Sequence, residues 1–207
     1  MAQGSPRIHV AVAATDPVYE LAEGVIWDDR ADLVRWVDIW EGRVLSGSLA
    51  GDRIVDAAAV AIGQTAGAVA LAEDGGLLVA AARGLAVISP EGRVTIGPDL
   101  LGDRSAEDGD TVDVRLNDGT VDLQGRFLTG TLSFTGKSAR DLGVEQLVRV
   151  SANGRVEVLR EGVRLSNGIA FSTATRKSSI RTASEIDRPM AASVFAALSL
   201  VFESMRT

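Results

Sequence analysis

The chain has 207 residues, 46% of them hydrophobic, and a net charge of -7. That length holds one domain with a sizeable core, and the acidic balance speaks against a nucleic-acid surface, which needs clustered Lys and Arg. With no cysteine, disulfides, thiol catalysis and thiolate metal sites are excluded, and the single histidine, His9, would have to serve any Ser-His-Asp triad or histidine zinc site.

Short strands rich in Val, Ile and Leu, separated by Gly, Asp and Asn, are predicted in chain order at 8–14, 23–28, 33–39, 43–49, 53–60, 67–72, 76–82, 85–89, 93–96, 119–123, 126–132, 145–151, 155–159 and 168–172. No segment among them sustains helical periodicity. His9 falls in the first, which marks it as structural. Gly102 to Asp110 reads most simply as a solvated acidic connection, with a second cation site as the alternative. Asn117-Asp118-Gly119 reads as a tight turn with φ > 0, holding polar groups and Arg115 at a sheet rim. Ser133 to Gly143 reads as a surface loop. Trp27, Trp36 and Trp40 are expected between sheets or over the first one.

The strands repeat. Trp27 to Leu33, Leu71 to Leu77 and Val121 to Phe127 share one design: an apolar strand ends, an acidic turn follows, a second apolar strand begins. A second turn recurs at Gly51-Asp52-Arg53, Glu91-Gly92-Arg93 and Asn153-Gly154-Arg155. The period of about 44 to 50 residues fits four-stranded propeller blades.

After Ser172 the pattern breaks. Residues 1–173 carry 16 basic and 25 acidic side chains, net -9; residues 174–207 carry five and three, net +2. Met190 to Phe202 is rich in Ala and Leu and reads as a helix. The expected division is a β domain over 1–172 and an atypical tail over 173–207. The tail is either an appended helix or the product of a reading frame broken near Thr173; the break inside a repeat favours the second. Ile8 to Ala14 follows Gly4-Ser5-Pro6 rather than a basic run, so it does not read as a secretion signal. Met190 to Phe202 is too short to span a bilayer. A cytoplasmic location without a membrane partner is expected.

Three segments carry a resemblance. Leu21-Ala-Glu-Gly-Val-Ile-Trp-Asp28, Arg115-Leu-Asn-Asp-Gly-Thr-Val-Asp-Leu-Gln-Gly-Arg126 and Leu165-Ser-Asn-Gly-Ile-Ala-Phe171, with Trp36-Val-Asp-Ile39, stand in the order and spacing of the senescence marker protein, gluconolactonase and luciferin-regenerating-enzyme family. The chain resembles that family, which includes regucalcin, over about residues 18–172.

The resemblance implies an all-β fold: a partial six-bladed propeller of about three and a half blades, followed by an irregular or helical tail. It implies a lactone hydrolase acting on small sugar lactones with a divalent cation, Ca²⁺, Mg²⁺, Mn²⁺ or Zn²⁺. Glu23 and Asn167 match metal ligands. Arg115 and Asn117 match residues that hold the substrate. The family's later metal aspartate, often given the role of general base, has no counterpart, so the catalytic residue is unassigned and the site is expected to be incomplete. Gly130-Thr-Leu-Ser-Phe-Thr135 offers only hydroxyls where some members carry an acid. Two other readings stay open: a non-catalytic partial propeller, as remnant or binding module, and a metal-dependent phosphoester or organophosphate hydrolase. Open blade edges would favour self-association.

Overall fold

The recurring acidic turns close hairpins, and their aspartates show why. Asp122 Oδ1 accepts the N–H groups of Gln124 and Arg126, both at 3.0 Å, and Oδ2 accepts Arg126 Nε at 2.7 Å. Asp74 Oδ1 accepts the Gly76 N–H at 2.9 Å. Contacts of this kind let an aspartate satisfy backbone donors that a tight reversal leaves unpaired. Gly75 and Gly125 take the tips with φ of +90° and +74°, a region open to glycine.

The computed structural model describes residues 12–105, 109, 111–136, 138–140, 142–163, 165–171 and 180–181. His9, most of the strand expected at 8–14, and the helix expected at Met190 to Phe202 lie outside them. The first antiparallel sheet runs in chain order through β1 (Ala22–Asp28), β2 (Leu33–Asp38), β3 (Arg43–Ala50) and β4 (Arg53–Ala61). The second does the same through β5 (Ala66–Leu71), β6 (Leu77–Ala81), β7 (Leu85–Ile88) and β8 (Val94–Ile96). The third holds β9 (Val114–Val121), β10 (Phe127–Thr135), β11 (Ser138–Arg140), β12 (Glu145–Val150) and β13 (Val156–Val163). A two-stranded sheet pairs β14 (Ala170–Phe171) with β15 (Ile180–Arg181). Among the described residues there is no helix. The all-β expectation therefore holds.

Two expectations change. Asn117-Asp118-Gly119 is not a turn; it lies inside β9. The reversal comes later, where Asp122 makes its backbone contacts and Gly125 has positive φ. Gly119 serves close approach instead: a Cβ there would sit 2.7 Å from the Phe127 ring and 2.8 Å from the Leu128 carbonyl oxygen. The expected surface loop from Ser133 also differs. β10 continues to Thr135, and β11 pairs with its last three residues.

The sheets stack through two cores. Val37, Ile39, Val44 and Ile62 of the first unit meet Val69, Val79 and Ile88 of the second. On its other face the second sheet offers Ala68, Ala70 and Ala80 to Val114, Leu116 and Phe127. The alanines leave room for the phenylalanine ring. Burial on both faces explains why β5 reads as a nearly unbroken apolar run. Trp36 packs edge-on against Tyr19 on the outer face of the first sheet, with Trp27 beside it.

Asp38, fully buried, ties the chain entering β1 to β2. Its carboxylate accepts the N–H groups of Leu21 (3.1 Å) and Glu20 (3.3 Å) and Arg43 Nη2 (3.0 Å). Burial works to raise its pKa, but these donors outweigh it and hold the carboxyl below the ordinary range. A depressed carboxyl stabilises the fold above its unfolded pKa and loses that contribution as pH falls through the folded value. Asp38→Ala is therefore expected to cost about 3 kcal/mol at pH 7, measured by urea unfolding. The gap between variant and wild type should narrow only in acid, below the ordinary aspartate value of 3.8.

Candidate active site

β1, β5 and β9, the first strands of the three sheets, pack side by side, and each carries an irregularity at the same level. In β1 the register shifts between Glu23 and Ile26. In β5 it shifts between Ala66 and Ala68. In β9, Gly119 faces Thr129 and Leu116 faces Thr131, so β9 holds one residue more than β10 across that interval. Consecutive side chains of a regular strand point to opposite faces; a bulge re-aims them. Asn117 and Asp118 consequently both line the same cavity, of about 130 Å³.

Glu23, Arg115 and Asn167 line that cavity too. The structure thus brings together all four residues singled out from the sequence, from segments far apart in the chain. Leu21, Ile39 and Leu132 supply an apolar wall. Glu23, Gly67, Asn117 and Asn167 are spaced 44, 50 and 50 residues apart, one per repeat. The second repeat contributes no side chain. A Cβ on Gly67 would lie 2.5 Å from the Asn117 carbonyl oxygen and 2.8 Å from that of Leu116, so β5 can approach the β9 bulge only as glycine.

Arg115 is 2% exposed. Its Nη1 donates to Asn117 Oδ1 at 2.8 Å and to the Leu116 carbonyl at 3.0 Å. Its guanidinium lies 5.0 Å from the Trp40 ring centroid, a cation–π distance, and Trp40 meets Phe134 edge-on at 5.9 Å. Trp40 thus covers the arginine rather than only the first sheet. Burial lowers the Arg115 pKa to about 10, with Glu23 pulling the other way. Asn117 also donates Nδ2 to the Ser166 carbonyl at 2.8 Å.

The Glu23 carboxyl feels the Asp118 charge. Glu23 keeps an exposed edge, yet its pKa is raised, first by partial burial and then by the Asp118 charge, against the pull of Arg115. Burial raises the Asp118 pKa as well, although the Gly168 and Gly119 N–H groups oppose it. Sequence reasoning passed over Asp118. Its signal was present in the Asn-Asp-Gly run, but a turn reading gave its carboxylate no distant partner. Among the described residues no cluster of three His, Cys, Asp or Glu side chains stands ready to hold a metal.

The chain resembles known proteins in sequence and fold. The sequence profile of the SMP-30/gluconolactonase/LRE-like region matches residues 21–179. The chain belongs to that family. It is 34% identical over 153 residues to a 6-deoxy-6-sulfogluconolactonase of Pseudomonas putida, covering 73% of this chain and 48% of that protein. The chain thus spans about half the length of that relative. A calcium-binding regucalcin of Agrobacterium tumefaciens superposes with a TM-score of 0.64 at 22% identity, over 83% of this chain and 56% of the other. A luciferin-regenerating enzyme gives 0.63 at 18%, over 83% and 58%. A gluconolactonase of Xanthomonas campestris gives 0.58 at 16%, over 78% and 54%. The family's profile reaches the cavity segments of all four repeats.

The close approach at Gly67 yields a test. Gly67→Ala places a methyl against backbone, which cannot swing away as a side chain can. A loss of about 1–3 kcal/mol is expected, read as a lower urea midpoint with unchanged slope.

Proposed function

We propose that the cavity is part of a lactone-hydrolysing site served by a divalent cation, in a chain whose three sheets are successive propeller blades. The observation that carries this reading is the convergence of Glu23, Arg115, Asn117 and Asn167 on one cavity in a member of a lactonase family. The donor chemistry fits a hard cation. The acidic and amide groups at the cavity bind through oxygen; burial pushes both the Glu23 and the Asp118 carboxyls up, and the Asp118 charge adds to the push on Glu23. Glu23 and Asn167 would hold the ion. When bound, it would supply polarisation of the lactone carbonyl.

The chain's own residues do the rest. Arg115, pinned by Asn117 and Trp40, presents a fixed guanidinium to oxygens of the substrate. Leu21, Ile39 and Leu132 limit water beside the ring. The 6-deoxy-6-sulfogluconolactonase relative supports a sugar lactone as the substrate class. A second reading, a propeller segment that binds without hydrolysing, draws on the lack of a three-carboxylate cluster among the described residues.

With two assigned protein donors, Ca²⁺ should bind no tighter than about millimolar. Calorimetric titration is the check: Glu23→Gln should abolish the signal, and a micromolar site that survives it overturns the ligand assignment. Hydrolysis of glucono-δ-lactone above the buffer rate should require the cation at that concentration. It should fall about 100-fold or more in Arg115→Ala, the scale of a lost oxyanion donor. Saturable lactone binding with no turnover at any cation concentration would establish the second reading instead.

A further inference from the structure

Asn167 sits in a short connection, Ser166-Asn167-Gly168, that belongs to none of the three large sheets. What fixes it is side chains some 50 residues earlier. Asn117 Nδ2 donates to the Ser166 carbonyl at 2.8 Å. Asp118 Oδ2 accepts the Gly168 N–H at 2.6 Å. The two contacts bracket Asn167, one on each side. Ser166 is fully buried, and it lies so close to β10 that a Cβ on Gly130 would overlap its hydroxyl. Gly168 has φ of +69°, a backbone state open to glycine. No hydrogen bond among the described residues engages the Asn167 amide, which lines the cavity.

We infer that Asn117 and Asp118 are positioning residues: the β9 bulge is a clasp that grips the backbone on both sides of Asn167 and aims its amide into the cavity. The bulge is what makes the clasp feasible, since it turns two consecutive side chains toward one target. Asn117 does a second task at once, because its Oδ1 orients Arg115. Each end of its amide thus makes one bond within the protein, to Arg115 and to the Ser166 carbonyl. The clasp rests on the hydrogen bonds alone. Its relevance to a cation rests on the reading given above.

Amide hydrogen exchange on the full chain, followed by NMR, tests the clasp without any ligand. In the wild type the Gly168 N–H should exchange slowly for a residue outside a strand. Asp118→Ala should speed exchange at Gly168 by about tenfold or more, the scale of one hydrogen bond to a charged acceptor, with the β2–β3 and β5–β6 ladders unchanged. Asp118→Asn keeps an acceptor oxygen and should give a smaller increase confined to Gly168; it decides the matter if the alanine variant does not fold. Fast exchange at Gly168 in the wild type overturns the clasp. So does an unchanged rate in Asp118→Ala, or acceleration spread over the whole chain in either variant. Mn²⁺ is the second probe. It should broaden the Asn167 side-chain amide resonances in the wild type, and less in Asp118→Ala at the same concentration. Equal broadening in both overturns positioning of the amide. If Mn²⁺ leaves Asn167 untouched while the Gly168 result stands, the cation reading fails and the clasp survives.

Discussion

The alternation of side chains along a strand sets a geometric limit on any site built from sheet edges: neighbouring residues cannot serve one cavity. β9 escapes that limit by one inserted residue opposite Gly130. Asn117 and Asp118 then share a direction, and the fourth repeat can be tied to the third through them. Glycines stand on or near this part of the fold at 67, 119 and 130. Each is a place where another chain segment comes closer than a Cβ would allow. The bulge thus constrains the identity of Gly67 on β5, which lines the same cavity.

Charge follows geometry. Two carboxylates and one guanidinium are gathered where burial penalises all three. The guanidinium is compensated from within the protein by an amide oxygen, a carbonyl and an aromatic face. Glu23 is compensated less well, and its carboxyl pKa rises. An environment that leaves acidic oxygens under-neutralised at the inner ends of several strands is a general way to prepare a place for a cation without a dense ligand cage.

Much of this was legible in the sequence. The middle sheet is covered on both faces, so its strands stand out as apolar runs. The recurring aspartates had to cap reversals, and Asp74 and Asp122 do. The four cavity residues could be picked out because motif order and spacing survive in the chain. The failures have a common cause. Asn-Asp-Gly is equally at home in a tight turn and in a bulge, and only the partner strand tells them apart. Asp118 was invisible as a functional residue because its partner is the Gly168 N–H, a contact that no local pattern encodes. Likewise, β11 pairs only with the end of β10, and its three residues carry no apolar alternation.

The Asn117 amide has one further implication, for what evolution can put at that position. Its oxygen must meet a guanidinium, and its nitrogen must meet the Ser166 carbonyl. Aspartate has the right length and would pair well with Arg115, but it would set a carboxylate oxygen against a carbonyl oxygen with no proton between them. Serine and threonine are too short to reach both partners. Glutamine carries both groups but adds a methylene to a cavity wall already in contact with β5. The position therefore has an alphabet of nearly one letter, and drift there would be blocked even in a descendant that had given up chemistry and kept only the fold.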